Sequence, residues 1–357
     1  MTIIFKSLNI WEMENSKKIM LQSDYLEGCH PNILKKLTET NLLQTVGYGE
    51  DEICSQAKEF IKKHLKTEQV DIHFLIGGTS ANQIVIASVL RPFEAVISVE
   101  SGHINSHETG AIEATGHKVI SLTKENKMTS EMLEKFFINQ EKDPNFEHIV
   151  KGKMVYISFP TEFGLLYTKQ ELESIYSVCK KHDSYLFIDG ARLAFGLACF
   201  DKTNIKIEDM PNLCDVFYIG GTKCGAMFGE AVVIVNDEIK KYFRYHIKQR
   251  GAMMAKGRLI GIQFYELFKD NLYFEIGKKT VDLAIYTKEA LMKKGVKFYI
   301  ESFTNQQFIV LNKEKYDEVS KKFELSYWGE DKGDIICRFC TSWATTKEMM
   351  DQLIAIF

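Results

Sequence analysis

Between residues 70 and 235 the chain alternates short β-branched or aromatic runs with longer segments of helical periodicity, an order that few folds accept. Seven runs read as strands: HFLI (73–76), AVISV (95–99), KVISL (118–122), MVYISF (154–159), YLFID (185–189), DVFYIG (215–220) and AVVIV (231–235). Helical patterns fall between them near 80–90, 102–115, 130–137 and 169–182. Such alternation builds βα units around a mostly parallel sheet, so the sequence predicts a three-layer α/β unit with a seven-stranded, mostly parallel sheet. From about residue 237 the pattern changes to Lys-rich amphipathic helices. The tail then reads as strand, helix, strand, helix through KFYI, KEKYDEVSKKF, DIICRFC and TKEMMDQLIAIF. The expected organisation is a large domain over 1–255 and a small C-terminal α+β domain over 256–357, with residues 1–25 packing near the second.

Composition narrows what this fold could serve. With 357 residues, 45% hydrophobic and 26% charged, and only 5 Pro, the chain sits in the globular range. Lys and Arg number 45 against 48 Asp and Glu, a net charge of -3, so no strong positive field is available for nucleic acid or an anionic membrane. No apolar run approaches the roughly 18 residues of a membrane span. The N-terminus lacks the basic start, long apolar stretch and cleavage site of an export signal. A cytoplasmic protein is expected, its 8 scattered cysteines reduced. Cys337 and Cys340 form a C-x-x-C pair with no second pair elsewhere, and their apolar run reads as core rather than as a zinc site.

Three features follow in order, each at the C-terminal end of an expected strand, where open α/β sheets bind ligands. Gly77-Gly78-Thr79-Ser80-Ala81-Asn82 follows HFLI and opens a helix. Its glycines let the backbone approach an anion, and free N–H groups at a helix start favour negative charge. Alone it also suits an ordinary βα turn with Thr79 or Ser80 as N-cap. Asp189 closes YLFID ahead of Gly190-Ala191-Arg192, where a carboxylate either caps a helix or holds a proton on a ring nitrogen. Lys223 stands in Ile219-Gly220-Gly221-Thr222-Lys223-Cys224-Gly225. A lysine in a glycine-rich loop is ordinarily a solvent-facing charge, but an amine desolvated behind a buried strand becomes a nucleophile. An anion cradle, an acid for a ring nitrogen and a nucleophilic lysine are together what a pyridoxal phosphate site needs.

The segments GGTSAN, SGHINSHETGAIEATGHKVI, TEFGLLYTKQELESIYSVCKKHDSYLFIDGARL and GGTKCG resemble the threonine aldolase and β-eliminating lyase family. Ser23-Asp24, Gly47-Tyr48-Gly49-Glu50-Asp51 and the tail CRFCTSWATTKEMMDQL extend the resemblance over nearly the whole chain. It implies a fold type I pyridoxal phosphate enzyme, with an aminotransferase-like large domain and a small C-terminal one. It further implies that Lys223 forms the Schiff base, that Asp189 pairs with the pyridinium nitrogen, and that His103 lies over the ring. Gly78, Thr79 and Thr222 would hold the phosphate. Arg192, beside the cofactor, and Arg338 resemble the family's substrate-carboxylate arginines, with Ser23 nearby; a planar fork suits bidentate carboxylate binding. The implied assembly is a homodimer or homotetramer with its sites at the dimer interface.

The implied reaction is retro-aldol cleavage of a β-hydroxy-α-amino acid, threonine or allo-threonine, to glycine and an aldehyde. His103 is the nearest general-base candidate. His107 would share a helical face with it if that segment is helical, and a metal at this pair lacks an obvious third ligand. Two segments depart from the family. Pro160-Thr161-Glu162-Phe163-Gly164 stands where a Thr-His-Asn segment is typical, so the second active-site histidine is missing, and Glu162 either contacts the cofactor or caps a turn. Where members place an arginine reaching the partner's phosphate, the chain offers Arg250 or Lys256. Alternatives on the same fold are β-elimination, transamination, racemisation or a non-catalytic protein.

Overall fold

The structure, a computed structural model, describes residues 18–357. Its strands begin with β1 (Ile19–Met20), then β2 (Asp71–Leu75), β3 (Glu94–Ser98), β4 (Val119–Ser121), β5 (Lys151–Ser158), β6 (Tyr185–Asp189), β7 (Val216–Gly220) and β8 (Glu230–Ile234). The last seven form one sheet in the order β2-β8-β7-β6-β5-β3-β4. Five of these strands pair in parallel, while β8 runs antiparallel to both its neighbours, β2 and β7. The expected seven-stranded, mostly parallel sheet is thus present.

Alternation along each strand builds two cores. Leu186 and Ile188 of β6 and Phe217 and Ile219 of β7 face one layer, with helices Glu52–Leu65, Lys169–Lys181 and Arg258–Lys269. Phe187, Val216 and Tyr218 face the other, with helices Gly78–Val89 and Phe243–Gln249. Burying each such side chain stabilises by about 1.5–3 kcal/mol, which is why the strands read as unbroken apolar runs.

The helix expected over 102–115 is reduced to His103–Ser106 and a 3-10 turn at Glu113–Thr115. Thr109 at φ 53 and Gly110 at φ 72 take the left-handed conformation, which ends helical propagation. Likewise Tyr242 at φ 59 and Gly251 at φ 72 interrupt the Lys-rich run after residue 237. Helix Arg258–Lys269 then packs on Glu52–Leu65 and contributes Ile260, Phe264 and Leu267 to the core of the large sheet.

Helix Leu272–Lys293 leads to a second sheet and places Leu291 in its core. There β9 (Lys297–Phe298), β10 (Gln306–Leu311), β12 (Ser326–Asp331) and β13 (Asp334–Cys340) pair antiparallel in the order β12-β13-β10-β9. The interior strand β10 was not expected. It opens on Gln306 and Gln307, whose buried side-chain NH2 groups donate to the Thr161 and Thr304 carbonyls at 3.3 and 2.8 Å, so the polar start leaves too short an apolar run to read as a strand. Of the segment 1–25 expected beside the tail, residues 1–17 lie outside the described residues. From residue 19, β1 pairs in parallel with β11 (Phe323–Glu324), and Leu21 joins the small core.

Candidate active site

Strand parity assembles the centre of the site. Tyr156, Asp189 and Tyr218 lie on the same face of β5, β6 and β7, and the register sets Ser158 beside Asp189 and Ile188 beside Phe217. The Tyr156 hydroxyl therefore donates to Asp189 Oδ2 at 2.5 Å, and the Tyr218 hydroxyl donates to Oδ1. The Ala191 N–H at 3.0 Å and the Asn82 amide at 3.3 Å complete four donors. Burial, and then the Asp189 charge, push both phenols well above the ordinary tyrosine value, so they remain protonated and keep donating. Two glycines make the approach possible: a Cβ on Gly190 would overlap the Tyr218 carbonyl, and one on Gly220 the Ala191 carbonyl.

Asp189 opens on a cleft of about 340 Å³ that also takes in Gly78, Thr79, His103, Arg192, Thr222 and Lys223. The Gly77–Thr79 turn starts the twelve-residue helix Gly78–Val89, and Gly77 supplies no side-chain cap, which leaves the first N–H groups to a ligand. Desolvation, and next the Arg192 charge, lower the Lys223 pKa, against the opposing pull of Asp24, Asp189 and Glu230. A neutral amine is the nucleophilic form.

A family model for β-eliminating lyases matches residues 21–306. The chain belongs to this family. The low specificity L-threonine aldolase of Pseudomonas aeruginosa is 25% identical over 335 residues, covering 93% of this chain and 94% of that protein. The solved threonine aldolase of Leishmania major superposes with a TM-score of 0.91 at 43% identity, over 95% of this chain and 98% of that one. An aspartate aminotransferase of Thermus thermophilus, at TM-score 0.68 and 12% identity over 97% and 92% of the two chains, shares the fold.

Around this family centre lie groups that the sequence reading passed over. Arg192 is engaged by Asp24, Nε to Oδ2 at 2.7 Å and Nη2 to Oδ1 at 3.0 Å, and Asn305 adds 2.9 Å. Burial opposes charge on Asp24, but Arg192 and Lys223 hold its carboxyl far below the usual carboxylate range. One nitrogen of Arg192, Nη1, is left for a ligand. His103 Nδ1 lies 2.7 Å from Oε1 of Glu108, whose side chain is 0% exposed, and Asn82 donates to that same oxygen at 2.7 Å. Asn82 thus links the His103–Glu108 pair to Asp189.

Glu162 lines the cleft and accepts from Ser158 Oγ at 2.5 Å and from the His103 N–H at 2.9 Å through Oε1, while its buried Oε2 has no partner. Burial pushes its pKa up. Glu230, at the start of β8, accepts from the Gly221 N–H at 2.9 Å and from the Thr222 hydroxyl at 2.8 Å. Burial raises it to about 7, against those hydrogen bonds and Lys223.

Ser23 and Arg338 do not line the cleft. Ser23 Oγ is buried without a partner next to Asp24. Arg338 donates to Gln306 Oε1 at 2.9 Å and to the Gln22 carbonyl at 3.0 Å and stacks 4.8 Å above the Trp328 ring, while its buried Nε has no partner. His107 follows the short helix instead of riding on it, yet its ring stacks on His103 at 5.8 Å. Burial, then His103 and Arg338, lower its pKa. Among the described residues no three side chains converge as metal ligands. Cys337 and Cys340, three apart on β13, leave opposite faces of the strand.

Proposed function

We propose that the protein is a pyridoxal phosphate-dependent lyase that cleaves a β-hydroxy-α-amino acid, threonine or allo-threonine, to glycine and an aldehyde. The observation that carries this reading is that Lys223, Asp189 and the Gly77–Thr79 turn open onto one cleft. The fit to the cofactor rests on three features: a Gly78 whose added Cβ would press on the Tyr218 hydroxyl at 3.0 Å, a lysine held toward its neutral form, and a carboxylate fixed by four donors. When bound, the cofactor supplies an electron sink for a bond to the substrate α-carbon. Lys223 would hold it covalently, Asp189 would accept from its ring nitrogen in exchange for one of its four present donors, of which the Asn82 amide at 3.3 Å is the longest, and the N–H groups at Gly78 and Thr79 would take its phosphate.

The free Nη1 of Arg192 binds the substrate carboxylate, with Asp24 fixing the plane of the guanidinium. With Nδ1 committed to Glu108, His103 presents Nε2 as the acceptor for the β-hydroxyl proton. Glu162 stands where the family's second histidine is missing, its raised pKa suiting it to share that proton.

The site belongs to at least a dimer. Leu42, Leu43, Val46 and Tyr48 form an exposed apolar stretch, and half-exposed Tyr25 lines the cleft mouth. Arg250 and Lys256 are absent from this cleft's walls, which suits a role in the partner's. A cytoplasmic location agrees with eight free, buried cysteines, and among the described residues no helix is long and apolar enough to cross a membrane.

Incubation with L-threonine and L-allo-threonine should release glycine and acetaldehyde, and Lys223→Ala should abolish both turnover and the visible absorption of the bound cofactor. Keto-acid or ammonia release would redirect the reading to transamination or β-elimination, cofactor binding without turnover to a non-catalytic protein. A protein that takes up no cofactor would end it. Light scattering should give a dimer or tetramer; an active monomer would remove the shared site.

A further inference from the structure

Glu230 is a buried acid at the end of the cleft where an anion is to be held. It pairs in register with Leu75 of β2, which runs directly into Gly77 and Gly78, and it lines the same cleft as that turn. The hydroxyl proton of its companion Thr222 is already committed. A hydroxyl has one proton and two acceptor positions; here the proton goes to Glu230 Oε1 at 2.8 Å, and one acceptor position takes the Gly229 N–H at 3.0 Å. In this arrangement Thr222 has nothing to donate to a phosphate, and an ionised Glu230 repels one.

We propose that Glu230 takes up a proton when the cofactor phosphate binds and, by reversing its hydrogen bond with Thr222, releases the Thr222 hydroxyl proton to the phosphate. This deepens the cofactor reading above and rests on it. The step balances without a co-reactant. One proton enters from water onto Glu230 Oε1, that O–H donates into the open acceptor position of Thr222 Oγ, and the Thr222 proton turns to a phosphate oxygen. No covalent bond between heavy atoms changes. Glu230 thereby acts through Thr222, as a positioning residue.

Burial places the Glu230 carboxyl at about 7 before any phosphate arrives, so the proton is available near neutrality. The charged and titratable groups acting on it are Lys223 in the adjoining loop, Asp189 at the end of β6, Tyr218 on β7 and Tyr273 on helix Leu272–Lys293. Lys223 favours the ionised acid and Asp189 opposes it; both phenols are held protonated. A dianion at the turn opposes ionisation further, so affinity for it falls as pH rises above 7.

The probe is pyridoxamine 5'-phosphate, which has no aldehyde and cannot react with Lys223. Its affinity for the wild type should fall by up to about tenfold more per pH unit above 7 than its affinity for Glu230→Gln, the difference of one linked proton. Near pH 8.5 the Gln variant, whose amide donates to Thr222 at any pH, should bind at least about tenfold tighter. Equal pH slopes, or weaker binding by the variant at high pH, would overturn the inference while leaving the cofactor site intact. Absence of binding at any pH would overturn both.

A second measurement needs no substitution. In calorimetry near pH 8.5, in buffers of different ionisation enthalpy, the wild type should take up more protons with pyridoxamine 5'-phosphate than with pyridoxamine. Equal uptake would refute the coupling.

Discussion

At one end of the cleft Asp24 is buried against the Arg192 guanidinium; at the other Glu230 is buried against a hydroxyl and a backbone N–H. Both carboxylates are withdrawn from water, at 0% and 4% exposure, yet Asp24 is held far below the usual range and Glu230 rises to about 7. Depth alone therefore does not decide whether a buried acid is charged. A contacting cation outweighs desolvation, and two neutral donors do not.

The largest test of that contrast is Arg192→Ala, which strands Asp24 without its cation. Loss of about 3–5 kcal/mol is expected in urea denaturation, with much of it recovered in Arg192→Ala/Asp24→Asn. A small loss in the single variant would put the two ends on the same footing. The pair also has a pH signature. Because the folded pKa of Asp24 is depressed, its contribution is complete above the unfolded value, about 4, and fades as pH falls toward the folded one; Asp24→Asn should lose that acid dependence.

Glu230 has the opposite sign. Its folded pKa is raised, so its contribution is complete below the unfolded value, about 4.3, and is lost as pH rises to about 7. The cofactor-free wild type should lose on the order of 2 kcal/mol between those limits relative to Glu230→Gln, read as melting temperatures at pH 5 and 7.5. Parallel curves would show that Glu230 is not held protonated. The smallest effect is expected at Tyr218→Phe, which leaves Asp189 with three donors. It should cost about 1–2 kcal/mol of stability and weaken cofactor binding without abolishing it.

Much of this could be read from the chain because it lies in local pattern. Seven apolar runs gave seven strands, and Asp189, Lys223 and the glycine turn each follow one directly. Gly78, Thr79, His103, Arg192 and Thr222 also reach the cleft. What escaped reading depends on pairings between distant residues: Asp24 with Arg192 across 168 positions, Asn82 with Asp189 across 107, Tyr156 with Asp189 across 33. No spacing rule reaches that far. Thr222 lines the cleft, but its commitment to Glu230 was invisible in the sequence, since the direction of a hydroxyl is set by neighbours only folding supplies. Arg338 shows the same limit from the other side: its two terminal nitrogens donate to Gln306 and to the Gln22 carbonyl while Nε is left without a partner, a division that its residue type does not announce.

The reversed direction of β8 has one more effect. Parallel strands deliver their last residues to the ligand rim, whereas a strand laid the other way delivers its first, which is how an acid that begins a run comes to stand among groups that end theirs. The nine residues Gly221–Gly229 become a staple with both feet on neighbouring strands, closed by the Gly221 N–H, which is shared between Glu230 Oε2 at 2.9 Å and the Gly229 carbonyl at 3.1 Å. An amine mounted on such a staple has little wandering to give up when it reacts, so lengthening the staple should slow covalent capture of the cofactor even where every wall of the cleft is left as it was.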